Sequence, residues 1–106
     1  MIEEYATGLA RRLLNITLTV QFLVSDEWTA DADYGNHRLR FNVTKLGEAW
    51  FDHGVTEEID DLLIHELGHE LSDNHLSHEY HGALSMLAAR LKKAVLNDPE
   101  WFRIFG

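Results

Sequence analysis

The sequence predicts an α+β domain. Segments of helical period open and close the chain, three short stretches alternate with the period of a strand between them, and no linker or repeat divides the whole. A length of 106 residues suits one hydrophobic core. Residues 1–106 are therefore expected to form a single domain.

Residues 2 to 14 carry Ile2, Tyr5, Ala6, Leu9 and Leu13 along one stripe, with Glu3, Glu4, Arg11 and Arg12 elsewhere, an amphipathic helix. From Ile16 to Val24 the even positions Ile16, Leu18, Val20, Phe22 and Val24 are apolar, a strand with one buried face. Trp28, Ala30, Ala32 and Tyr34 repeat the pattern. Leu39, Phe41 and Val43 follow, set against Arg38, Arg40 and Asn42. Gly35-Asn36 between these two runs predicts a hairpin with a II′-type turn. The sequons at Asn15 and Asn42 lie at or within strand patterns and carry no functional weight.

Thr44 is expected to cap a helix running to about His53 and ended by Gly54, with Leu46, Ala49 and Trp50 turned inward. Thr56 caps the next. Glu57, Glu58, Asp60 and Asp61 crowd its first turns, where carboxylates suit the positive end of the macrodipole, and Ile59, Leu63, Leu67 and Leu71 run along one side. Leu62, Ile64 and Gly68 leave little charge on the others, so this helix is expected to be central. Ser72-Asp73-Asn74 predicts its break. Ser77 then caps a long helix with the stripe Tyr80, Leu84, Leu87, Ala88, Leu91 and Val95. Asp98-Pro99 starts a short last segment whose Trp101, Phe102 and Phe105 close the core.

Eighteen acidic against nine basic residues give a net charge of −9, which argues against nucleic acid and anionic membrane as partners. The absence of cysteine excludes disulfides, thiolate nucleophiles and Cys-type zinc fingers, so any metal must sit on nitrogen and oxygen. No run approaches a membrane span, and acids stand where a signal peptide needs basic residues; a cytoplasmic location is expected.

Five of the seven histidines fall in HELGHELSDNHLSHEYH, residues 65 to 81. His65 and His69 are four apart on the expected central helix, so their imidazoles share a face and can converge on one ion. Glu66 is rotated by about 100° and can face a metal-bound water. A catalytic zinc takes three protein ligands and keeps a fourth position for water. His75 on a continuous helix would lie about 9 Å up the axis from His69 and on another face; a chain reversal at Ser72-Asp73-Asn74 lets it return as the third ligand. His78, Glu79 and His81, on the first turn of the following helix, are the alternatives for that place. His78, Tyr80 and His81 are also candidates to support the ligands or to stabilise a developing oxyanion. His37 and His53 are read as surface or half-buried residues.

These residues resemble zincin metallopeptidases, and HELGHELSDNH matches the ligand spacing of metzincins, HExxHxxGxxH, with Ser72 in place of their glycine. Met86 lies on an expected helix rather than in the methionine turn of that group. The same spacing followed by HLSHEYHGAL resembles small bacterial metallopeptidase-like domains of the SprT and YgjP type, and the stretch from Tyr34 to Leu91 resembles bacterial and phage-encoded domains of that kind. The resemblance implies a minimal zincin: a sheet of about three strands packed on an active-site helix and a C-terminal backing helix.

The function expected is zinc-dependent hydrolysis of a peptide or protein substrate, with Zn²⁺ on His65, His69 and His75, Glu66 as general base, and an edge strand in Tyr34 to Val43 holding the peptide extended. The alternative is a non-catalytic zinc-stabilised interaction module, in which His78 or His81 replaces the water as fourth ligand.

Overall fold

The computed structural model describes residues 1–72 and 78–105 and has the expected α+β class: helices around one three-stranded mixed sheet. Helix α1 (Ile2–Leu14) forms where its periodicity places it, burying Ile2, Tyr5, Ala6, Leu9, Ala10 and Leu13; Asn15 ends it in a left-handed conformation, its N–H bonded to the Arg11 carbonyl. Helices α4 (His78–Asn97) and α5 (Pro99–Phe105) complete the helical side. Trp101 and Phe105 pack on Tyr5, and Gly8 lies so close to Trp101 that a Cβ there would fall 2.2 Å from the indole. No helix among the described residues is long and apolar enough to cross a membrane.

The sheet departs from expectation in three ways. Strand β1 (Thr19–Leu23) is shorter than the alternation that announces it, and Phe22 and Val24 are 43% and 82% exposed. Strand β1 is an edge of the sheet, and the Phe22 ring packs on Phe41 and Phe51. Second, β2 (Ala32–Gly35) and β3 (Arg38–Asn42) form the hairpin, but its loop is Asn36-His37, with φ of 53° and 59°. Two positive φ values are the signature of a I′ turn, not a II′ turn centred on Gly35-Asn36. Third, β3 is not an edge. It pairs in parallel with β1 and antiparallel with β2, so Leu39 and Phe41 are fully buried; only the β2 part of Tyr34 to Val43 is an edge strand.

The helix expected from Thr44 to His53 is broken. Asn42 rather than Thr44 caps the short α2 (Val43–Leu46), its side chain accepting from the Lys45 N–H. Gly47, at φ 83°, ends it before a 3-10 turn at Glu48–Phe51, and Ala49 is exposed. Helix α3 (Glu57–Leu67) starts at Thr56, whose hydroxyl accepts from the Ile59 N–H at 3.2 Å. Ile59, Leu63 and Leu67 are fully buried, but Leu71 is 42% exposed, because the backbone tightens into a 3-10 turn at Gly68–Glu70 and the stripe loses phase. On α4 the buried positions are Tyr80, Ala83 and Leu87, while Ala88 and Val95 are exposed, a stripe rotated from the expected one.

Candidate metal and catalytic site

Helix α3 carries the candidate chemistry at its C-terminal end. His65 and Glu66 lie in its last turn and His69 in the 3-10 turn that continues it. The two imidazole centroids are 5.7 Å apart, with ring planes at 86°. Two imidazoles ligating one zinc at about 2.0–2.1 Å in tetrahedral geometry place their centroids about 5 Å apart, so the observed pair is close to a ligating arrangement. With nitrogen donors here and carboxylates nearby, the donor set fits zinc.

Helix α4 backs this end of α3. The Tyr80 ring lies 5.7 Å from that of His65 and 5.2 Å from that of His69, and its hydroxyl donates to the His65 carbonyl at 2.8 Å. That carbonyl is among the last four of the helix, which have no partner within an ideal α-helix. Tyr80 is 2% exposed, and burial followed by the charges of Glu66 and Asp61 pushes its pKa up to about 12. It therefore stays a donor. Gly68 permits the close approach: a Cβ there would lie 3.0 Å from Leu84 Cδ2 and 3.1 Å from Tyr80 Cε1.

Glu66 points to the other side, into a cleft of ≈ 380 Å³ lined by Ala30, Asp31, Ala32, Asp61, Leu62, His65 and Glu66. It is only 8% exposed. Its carboxylate makes no hydrogen bond or ion pair among the described residues. Burial, and then the charges of Asp33 and Asp31, push its pKa up from 4.5 to about 7.

The far wall of the cleft comes from β2 and the segment before it. Asn42, 1% exposed, donates through Nδ2 to the carbonyls of Trp28 at 2.7 Å and Ala30 at 3.2 Å, and its backbone N–H donates to the Asp31 carbonyl at 2.8 Å. A residue that the alternation assigns to the solvent face thus shapes the cleft. Arg40 holds the Asp33 carboxylate through Nε at 2.8 Å and through Nη2. At the hairpin end, Tyr34 donates to Glu70, and His37 Nε2 lies 3.0 Å from the other Glu70 oxygen, which ties the β2–β3 loop to the turn carrying His69. Asn42, Glu70 and Tyr34 escape a sequence reading, since their partners are distant in the chain; an acid directly after the second histidine is the only local signal.

The structure therefore brings His65, His69 and Tyr80 together and sets Glu66 beside His65 in the lining of the cleft. His75 and the proposed break at Asp73-Asn74 lie outside the described residues, as does the Ser77 cap. His78 and His81 stand exposed on the first turn of α4, and no three His, Asp or Glu among the described residues form a metal-holding group. His37 and His53 are exposed, as expected of surface residues. No protein-family model, curated protein or solved structure matches the chain.

Proposed function

We propose that the chain is a zinc-dependent peptidase whose metal is held by His65, His69 and His75. The observation that carries this reading is Glu66: a side chain only 8% exposed whose carboxylate opens on a cleft and accepts no hydrogen bond among the described residues, one residue from an imidazole pair close to ligating geometry. Burial without a donor disfavours the charged form and raises the pKa of the group, as it does here, a pattern that marks functional acids more often than structural ones.

His65, His69 and His75 would hold the zinc, which would supply Lewis acidity toward the scissile carbonyl and the attacking water. Glu66, facing the cleft, is the group placed to take the proton of the attacking water and to return it to the leaving nitrogen. Tyr80 holds the His65 backbone and so the orientation of that imidazole. Among the described residues β2 is an edge strand, and its Ala32 lines the cleft, which suits an extended peptide.

Glu66→Gln tests the assignment. Zinc content by elemental analysis stays as in the unaltered protein, while turnover of a peptide mixture falls by about 10²–10⁴-fold. Lost zinc would make Glu66 a ligand; retained turnover would remove it from the chemistry.

A further inference from the structure

Several acids of this chain are held by a donor. Asp33 is held by Arg40, Asp60 by Tyr5, Asp98 by Arg12, Glu70 by Tyr34 and His37, and Glu100 by Arg103. Asp31 and Asp61 are exposed and have no hydrogen bond or ion pair from their side chains among the described residues, yet they stand on opposite walls of the cleft, one before β2 and the other on α3. Two like charges brought to one cleft repel each other and Glu66 unless something positive enters. Glu66 itself, more than nine-tenths buried and unpartnered among the described residues, faces the same space. Between the acids the lining is the apolar Ala30, Ala32 and Leu62, with His65 beside Glu66. A volume of ≈ 380 Å³ holds one long side chain. Apolar walls with carboxylates around them match a Lys or Arg, whose methylene stem packs on apolar surface while its head stays at the polar end.

We propose that this cleft seats a Lys or Arg side chain of the substrate next to the scissile bond, its stem against Ala30, Ala32 and Leu62 and its charge facing Asp31 and Asp61. The inference rests on the peptidase reading for the scissile bond and on the cleft alone for the charge preference.

The test pairs two peptides that differ only in lysine or its uncharged isostere norleucine, with cleavage followed by mass spectrometry and binding by fluorescence anisotropy. Zinc-loaded protein is expected to cleave the lysine peptide with at least 10-fold higher kcat/KM and to bind it at least 10-fold more tightly at low salt. In Asp31→Asn/Asp61→Asn, checked for folding by circular dichroism, both ratios fall toward one. Equal cleavage and equal binding of the two peptides by the unaltered protein overturn the cleft assignment. A binding preference without cleavage keeps the cleft assignment and overturns the peptidase reading; cleavage without any preference does the reverse.

Discussion

Helix α3 carries a half-buried carboxylate near its N-terminal end and a buried one near its C-terminal end, and the two are treated differently. Asp60, at the N-terminal end, accepts a hydrogen bond from the buried Tyr5 hydroxyl of α1; burial raises its pKa and that bond opposes the rise. Tyr5 itself is stacked on Trp101 and packed against Phe105. Glu66, two turns on, is more deeply set but has no donor among the described residues, and its neighbours Asp33 and Asp31 add repulsion. One carboxylate is a strut between helices. The other is kept uncompensated, and the surroundings that hold it so are also those that form a cleft. Burial alone therefore does not separate a structural acid from a functional one; the presence or absence of its donor does.

The largest expected effect concerns the ligands. His69→Ala and His75→Ala should each weaken zinc affinity by orders of magnitude in competition with a chromogenic chelator, while His78→Ala and His81→Ala should leave it within a few-fold. Retained affinity in His75→Ala with loss in His81→Ala would move the site onto α4. Next comes zinc itself. Because binding acts only on the folded form, saturating zinc should stabilise the protein by about 3–4 kcal/mol at 100 to 1,000 times Kd, read as a drop in Tm on chelation. Unchanged melts would leave Glu66 as a buried acid with no compensating ion.

A smaller effect separates the two acids by pH. In zinc-free protein the Glu66 pKa is raised from 4.5 to about 7. The folded state then binds the proton more tightly than the unfolded state, and stability from this group is present below about pH 4.5 and is lost as pH rises through 7. Glu66→Gln removes the titration, so the chelated variant should match the parent near pH 4.5 and exceed it by up to about 3 kcal/mol at pH 8. Equal stability at both pH values in urea melts would show that Glu66 is not desolvated. The smallest effect is at the strut: Tyr5→Phe leaves Asp60 without its donor and should cost about 1–2 kcal/mol, with zinc affinity unchanged.

Much of the helical frame was legible because it rests on local signals. The stripe of α1, the Thr56 cap and the Pro99 start of α5 all follow from residues a few positions apart. The pairing of His65, Glu66 and His69 was legible for the same reason, helical spacing. The sheet order was not, since alternation says which side chains share a face and nothing about which strand lies in the middle. Nor was the cleft: Asn42 reads as an outward polar position, and only the return of residues 28–31 over β3 makes its amide a buried donor. Asp31 and Asp61 are thirty positions apart, and their convergence is a product of tertiary packing.

The most direct measurement is a structure of the zinc-loaded protein, in which anomalous scattering locates the ion and its ligands are identified. The account predicts one zinc on the imidazoles of His65, His69 and His75, a water as the fourth ligand, and the Glu66 carboxylate beside that water without ligating the metal. Four protein ligands, with His78 or His81 in the water's place, would make the chain a closed zinc-stabilised module and contradict the peptidase; no zinc between His65 and His69 would contradict the site itself.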